Sequence, residues 1–346
     1  PQVRPENHQK GLSKQDRSTP AKGSNKTGKQ WKRWIAMINY DFPYAYENKL
    51  YHTLAFENQA RGYKLYKASV DAGFTCPNLD GSRGTGGCIF CSGGSGYFTA
   101  APEVPLEDQL AAEVARLRQK DPEARAAAYF QAHTNTYAPL PRLKDLYERA
   151  LRCEGICGLS IGTRPDCLPD ETVALLSRLN QEKPVWVELG LQTIHESTAR
   201  FIRRGYGLPV FEDAFRRLRA AGLTVIVHVI LGLPGETRED MLETIRYLAG
   251  LKIDGIKLQL LHVLKGTDLD RLYRQSAFQV LELSQYLELV GDCLKLLPPE
   301  TVIHRLTGDG PRSLLTAPLW SGNKRLVLNS MARYLKENKI YQGQEY

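Results

Sequence analysis

From about residue 62 onward, the sequence alternates short β-rich runs with amphipathic helical segments. Six runs read as strands: 63–70 (YKLYKASV), 127–132, 156–162, 185–191, 223–231 and 253–261. The run 223–231 (LTVIVHVIL) is almost continuously apolar, which implies burial on both faces of the strand. Between the strands lie helical segments at 105–119, 141–152, 170–180, 209–221 and 236–250. Pro169-Asp170 and Glu236-Thr237 are helix-start signals, and Gly222 is a stop signal. Six βα units in succession predict an α/β fold with a parallel sheet and right-handed crossovers. A doubly wound sheet and a partial or full barrel both fit this pattern, although six units fall short of the eight that close a full barrel. Two further helices, 278–296 and 323–338, flank a seventh strand-like run at 301–306. This C-terminal part is expected to cover one side or the mouth of the sheet.

Length and composition narrow the class. The chain has 346 residues, 42% apolar and 24% charged, enough for one large α/β domain or two smaller ones. No run of about 18 apolar residues is present, so a membrane-spanning helix is not expected. The formal net charge is +8, but it is unevenly placed. Residues 1–33 carry nine Lys/Arg against two acids, a net +7, and leave +1 on the rest. Residues 1–30 are too poor in large apolar side chains to offset their ordering entropy and read as disordered. They have no apolar core of a secretory signal. The tail is either a solubilising segment or a tether for a phosphate backbone. The expected layout is a basic tail over 1–33, a core with its lead-in over 34–298, and a C-terminal α/β extension over 299–346.

The chain has seven cysteines. Cys153, Cys157, Cys167 and Cys293 sit in apolar segments and read as packing residues. With no secretory signal, this points to reduced thiols in a cytoplasm. Cys76, Cys88 and Cys91 share one glycine-rich stretch, C-x11-C-x2-C, directly after the first strand. The C-terminal ends of strands are where α/β folds build their sites. Glycines 81, 84, 86 and 87 let the backbone wrap closely around an object. Three thiolates from one loop bind either zinc, with a distant fourth ligand such as Cys167, or an iron–sulfur cluster with one iron left open.

The loop resembles that of the radical S-adenosylmethionine (SAM) superfamily. There, three cysteines hold a [4Fe–4S] cluster, and SAM chelates the fourth iron through its amino and carboxylate groups. Phe90 fills the aromatic position expected just before the last cysteine. The long first interval departs from the commonest C-x3-C-x2-C and is typical of the branch resembling the catalytic subunit of Elongator, a tRNA-modifying enzyme. Thr163-Arg164-Pro165-Asp166, Val187 to Thr193 (VELGLQT) and Leu231 to Thr237 (LGLPGET) are similar to segments of that branch. Asp71 to Asn78 (DAGFTCPN), Tyr129-Phe130-Gln131, Thr134 to Tyr137 and Arg305 to Gly310 (RLTGDG) resemble the YhcC/YtqA-type subfamily. The likeness runs over roughly residues 35–340.

The resemblance implies a partial (βα)6 barrel with a C-terminal α/β extension. It implies a [4Fe–4S] cluster on Cys76, Cys88 and Cys91, and SAM held beside it. Thr134, Asn135 and Thr136 stand where the superfamily often has Gly-Gly-Glu for the SAM amino group. Arg164 is placed to bind the SAM carboxylate. Glu188 and Gln192 alternate with apolar residues on the fourth strand. A charge there is costly without a partner, which favours a site facing the interior. His228 lies inside the fifth strand, and Gly232 in the loop that would approach the adenine. Lys257, Gln259 and His262, with Lys265 just beyond, are candidates to face the substrate; Lys257, His262 and Lys265 are the candidate catalytic groups. His304, Arg305 and Asp309 belong to a polar C-terminal segment.

The implied reaction begins with an external one-electron donor of flavodoxin or ferredoxin type. Reductive cleavage of SAM then gives methionine and a 5′-deoxyadenosyl radical. The implied substrate is tRNA, and the implied step converts the 5-substituent of wobble uridine from carboxymethylaminomethyl to aminomethyl. The alternatives are a radical SAM enzyme acting on a small molecule or a protein, and a non-enzymatic zinc-bound RNA-binding module. Removing residues 1–33 is expected to lower RNA affinity and its salt slope while leaving SAM cleavage in place. Salt titrations of full-length and truncated protein measure this, and equal slopes would contradict it.

Overall fold

The computed structural model describes residues 42–93, 97, 99–308 and 310–346. The basic tail 1–33 and Asp309 lie outside the described residues. Residues 42–346 form one compact unit. Seven parallel strands make its sheet, in the order β1 (Leu65–Val70), β2 (Arg125–Phe130), β3 (Ile156–Thr163), β4 (Val185–Gln192), β5 (Thr224–Leu231), β6 (Gly255–Leu260) and β8 (Val302–Arg305). A separate antiparallel pair joins β7 (Val263–Leu264) to β9 (Leu315–Ala317).

The six expected βα units and the seventh strand are present, with ends shifted by at most two residues. The crossovers carry α2 (Leu106–Arg118), α3 (Leu140–Arg152), α4 (Asp170–Asn180), α6 (Leu208–Ala220) and α7 (Arg238–Gly250). Thr237 caps α7 rather than joining it. Its hydroxyl accepts from the Asp240 N–H at 3.2 Å, and the Asp240 carboxylate accepts from the Thr237 N–H at 2.7 Å. Gly222 takes φ 74° just beyond α6 and ends the helix as expected.

Three short helices escape the periodicity: α1 (Leu54–Arg61), α5 (Glu196–Phe201) and α8 (Asp268–Arg274). The expected helix at 278–296 begins only at Leu283, as α9 (Leu283–Leu296). The apolar residues before it do other work. Phe278 and Val280 pack on a small cluster near the cysteine loop, and Leu281 backs Gly232. The last helix is α10 (Lys324–Glu337).

Contacts across the interior require the sheet to curl. Lys257 on β6 donates to the Tyr129 hydroxyl on β2 at 3.0 Å. These strands stand four places apart, about 19 Å in a flat sheet at about 4.8 Å per strand, which is too far for the two side chains to meet. The sheet is therefore a curled, open barrel. Its far edge, β8, is covered by the lead-in to α1: Ile303 N–H donates to the His52 carbonyl at 2.8 Å. Gln342, near the C-terminus, accepts from the His52 N–H at 2.9 Å and fastens that segment. Covering an open edge in this way removes unpaired backbone groups.

Gly158, inside β3, has no room for a side chain. A Cβ there would lie 2.6 Å from the Pro184 carbonyl oxygen and 2.9 Å from the Trp186 ring. The Gly158→Ala variant is expected to lose about 1–3 kcal/mol of stability through overpacking. Chemical denaturation measures the loss, and an unchanged midpoint would contradict this account.

Candidate active site

A cavity of about 340 Å³ opens at the C-terminal ends of the strands. Cys76, Cys88 and Cys91 line its rim, together with Phe90, Thr134, Arg164, Gln192 and His262. Its inner end is lined by Tyr129, Glu188, His228, Lys257 and Arg305.

The cysteine loop is held in place by residues between its ligands. Ile89 is buried in an apolar cluster with Ile202, Leu233, Leu261 and Leu269. Its N–H donates to the Ile202 carbonyl at 3.2 Å, and its carbonyl accepts from Leu269 at 2.8 Å. Asn78 ties the loop to the far side of the rim. Its amide donates to the Arg203 carbonyl at 2.7 Å and reaches Cys88 Sγ at 3.5 Å. Gly205, at φ 85°, leaves space for Asn78: a Cβ there would fall 2.6 Å from the Asn78 amide oxygen. None of the three is in a disulfide, and all three are half-buried. Burial pushes the Cys88 thiol up to about 11, against the pull of the Asn78 amide.

On the opposite rim, Arg164 and Arg204 both stack on Tyr206, at 5.0 and 4.7 Å from its ring centre. Arg164 grips Asp166 through two hydrogen bonds of 2.9 Å. Arg204 is fully buried and donates to the carbonyls of Leu191 (2.8 Å), Thr193 (2.6 Å) and Tyr206 (2.9 Å). Gln192 takes φ 65°, a left-handed conformation that a non-glycine residue adopts only under surrounding constraint. Gly190 makes the space for it, since a Cβ there would meet the Gln192 amide at 2.8 Å.

Beneath the rim lies a layer of polar side chains to which every strand of the sheet contributes. The Glu188 carboxylate sits at its centre, fully buried. One oxygen accepts from Ser160 (2.8 Å) and Lys67, the other from Tyr129 (2.8 Å), His228 (2.8 Å) and Lys257. Burial alone would raise the Glu188 carboxyl, but the lysines and His228 outweigh it and hold it well below its ordinary value. Burial pushes Lys257 down to about 7, opposed by Glu188 and reinforced by Lys67. Burial, with Lys257 beside it, pushes His228 down to about 4. His304 stands alongside, its ring fitted against Gly255, and burial holds it well below the histidine range.

The other expected site residues lie elsewhere. Asn135 donates to the Gly162 carbonyl at 2.8 Å, and Thr136 bonds Thr163 Oγ1 at 2.5 Å, so both tie a turn to β3 instead of facing the cavity. Gly232 needs its φ of 89° for the turn and faces Leu281. Lys265 is exposed, carried away by the β7–β9 pair, where its N–H bonds Leu314 at 2.7 Å. Cys167 is buried off the cavity, its thiol beside the Asp166 carboxylate at 3.8 Å, and does not join the three loop cysteines. Cys153 and Cys157 donate to backbone carbonyls of Arg149 and Ala126 at 3.4 and 3.5 Å. Sequence reasoning missed Lys67, Ser160, Arg204, Tyr206, Asn78 and Ile89. Of these, Lys67 carried a signal as a charge within the first strand, and Asn78 as the last residue of the DAGFTCPN segment.

Comparison with known proteins places the chain. A family model described as the radical SAM superfamily matches residues 81–248, and one described as the Radical_SAM C-terminal domain matches 253–337. YtqA of Bacillus subtilis (strain 168) is 43% identical over 309 residues, covering 89% of this chain and 96% of that one. Elongator complex protein 3 of Schizosaccharomyces pombe is 29% identical over 178 residues, covering 50% of this chain and 32% of that one. The solved structure of archaeal Methanocaldococcus infernus Elp3 with an N-terminal deletion shares the fold, with a TM-score of 0.60 at 18% identity over 80% of this chain and 64% of that one. The chain belongs to the radical SAM superfamily, and its cofactors are a [4Fe–4S] cluster and SAM.

The residues present fit both groups. Among the described residues, one set of metal-ligating side chains has all its donor atoms within 4.8 Å of one another: His195, Asp240 and Glu243. Cys76, Cys88 and Cys91 bring three thiols of one loop to one rim of the cavity, the soft sulfur donors that an iron–sulfur cluster takes. Arg164 and the polar rim supply donors for the carboxylate of a bound SAM.

The buried neutral His228 sets a pH dependence. Its folded value of about 4 lies below the ordinary 6.5, so the unfolded chain binds a proton that the folded one refuses. Stability is therefore full above pH 6.5 and falls as the pH drops from 6.5 toward 4. His228→Gln is expected to flatten this window by up to about 3 kcal/mol. Unfolding midpoints measured across that range check it, and parallel curves for the two proteins would refute it.

Proposed function

We propose that this radical SAM enzyme acts on tRNA, remodelling the 5-substituent of wobble uridine from carboxymethylaminomethyl to aminomethyl. The observation that carries this reading is the likeness to Elongator complex protein 3, joined to a cavity with three thiols at its rim and a cationic polar layer at its inner end. The Elongator resemblance supports the tRNA class. The cavity supports the substituent in its lining: polar and cationic groups, Tyr129, Lys257 and Arg305, stand at its inner end. When bound, the cluster and SAM would supply reductive cleavage of the sulfonium and abstraction of a hydrogen atom from the carboxymethyl carbon; loss of one further electron to the cluster and of the amine proton would leave an imine, which water splits into the aminomethyl group and a two-carbon aldehyde acid.

Each part of the chain has a task in this reading. Cys76, Cys88 and Cys91 would hold the cluster, and Thr134, Arg164, Gln192 and Arg204 would orient SAM. Ile89 and its apolar neighbours shield the loop from water. Lys257 Nζ, at about 7, gives or takes a proton at neutral pH and stands where the substituent's amine would end. An external one-electron reductant would reach the cluster from the rim.

Deleting the gene is expected to leave carboxymethylaminomethyluridine in place of its aminomethyl derivative, as read by nucleoside mass spectrometry of total tRNA. An unchanged wobble-uridine profile would overturn the tRNA reading. Separately, replacing any one of Cys76, Cys88 and Cys91 with Ala is expected to abolish iron–sulfur absorbance and 5′-deoxyadenosine formation after anaerobic reconstitution.

A further inference from the structure

The polar layer carries more positive charge than its own carboxylate neutralises. Lys67 and Lys257 both contact Glu188, and Arg305 is the register partner of Lys257 across β6 and β8. His228 and His304 beside them are neutral. Among the described residues lining the cavity, Glu188 is the one carboxylate, and all five of its polar neighbours already point at it. Even with Arg305 left out of the count, Lys257 and the partly exposed Lys67 share one carboxylate, and burial with no second anion beside it pushes Lys257 down to about 7. An excess buried cation is costly unless an anion arrives to compensate it.

We infer that the inner end of the cavity is an anion subsite, in which Lys257 and Arg305 hold a carboxylate of the substrate. Three features favour a carboxylate over a phosphate. The lysine excess amounts to one charge, whereas a phosphate monoester brings nearly two. The subsite lies a layer below the strand ends, where a substituent reaches and a nucleotide backbone does not. Lys257 is 4% exposed, so little solvent reaches the subsite and a compact anion suits it better than a hydrated phosphate. The subsite is separate from the SAM carboxylate, which belongs with the cluster at the rim. Under the wobble-uridine reading, on which this identification rests, the bound group is the carboxymethyl carboxylate, and the secondary amine next to it falls near Lys257 Nζ. The same anchor would reject a substrate whose substituent has already lost that group, which gives the step a direction.

The test uses the reconstituted full-length enzyme and two small probes. N-ethylglycine carries the carboxymethylaminomethyl head alone, and N-ethylglycinamide is its uncharged counterpart at the acid. The glycine probe is expected to raise the unfolding temperature in a saturable way and to bind about tenfold more tightly than the amide, the order of a hydrogen bond to a charged group. Arg305→Gln and Lys257→Gln are expected to remove that preference while SAM affinity and iron–sulfur absorbance stay unchanged. Equal binding of the two probes to the wild-type enzyme overturns the subsite, and this arm needs no variant. A parallel loss of SAM affinity in both variants also overturns it, by assigning the cations to SAM. If the glycine probe binds with this preference but tRNA nucleosides from the deletion strain are unchanged, the carboxylate subsite stands and the tRNA reading alone fails.

Discussion

One buried carboxylate organises the interior of this barrel. Glu188 accepts hydrogen bonds from side chains on β1, β2, β3, β5 and β6. No flat sheet brings five strands within reach of one side chain, so the contacts and the curl imply each other. A buried ion pair seldom adds net stability, because desolvation offsets the attraction, yet removing one partner costs about 3–5 kcal/mol. The layer therefore behaves as a constraint: once folded, the sheet keeps the curvature that seats these groups together. Two lysines on one carboxylate also leave a local charge that an apolar core would not have, and this makes the barrel interior a place for a polar ligand.

The rim is fixed by a different force. The thiols that would hold the cluster sit on a loop with little regular structure, and such a loop would be mobile without anchors. Ile89 supplies one by entering a cluster to which α5, α8 and the loops after β5 and β6 contribute. Asn78 supplies another through the carbonyls of Arg203 and Arg204. Burying an Ile side chain is worth about 1.5–3 kcal/mol, and a hydrogen bond adds about 1. Together these offset part of the backbone entropy of ordering the loop, about 1–2 kcal/mol per residue. The site is thus prepared from both ends: apolar packing holds the loop, and electrostatics hold the inner layer.

The sequence made the strands legible because parallel strands covered on both faces read as continuous apolar runs. The helices of the crossovers were legible for the same reason in reverse, through their amphipathic period and their caps. The short α1, α5 and α8 gave too few turns for a period to emerge, and the two-residue β7 gave no pattern. The site was legible where a charge interrupted an apolar run. Glu188, His228 and Lys257 stood out in this way, and the structure brings all three together. Tyr129 entered only through the family resemblance, and Ser160 carries no charge, so neither stood out by itself. Ser160 sits on the neighbouring strand, and Tyr129 two strands away is brought within reach by the curl. Asn135 and Thr136 drew notice by position, but backbone and turn contacts already satisfy them.

The placement of charge separates two properties that net charge conflates. Over residues 34–346 the formal balance is +1, so the folded part exerts little long-range attraction on a polyanion. Surface charges are in any case screened over about 8 Å at physiological salt. The excess at Lys67, Lys257 and Glu188 acts across a few ångströms in a medium that screens poorly. It cannot attract a partner from a distance, but it can discriminate between two groups already inside the cavity. Under the tRNA reading, affinity would come from the mouth of the cavity or from the basic segment 1–33, and selectivity from the inner layer. A substitution in the layer should therefore change which substituent is accepted far more than how tightly the rest of the molecule is held.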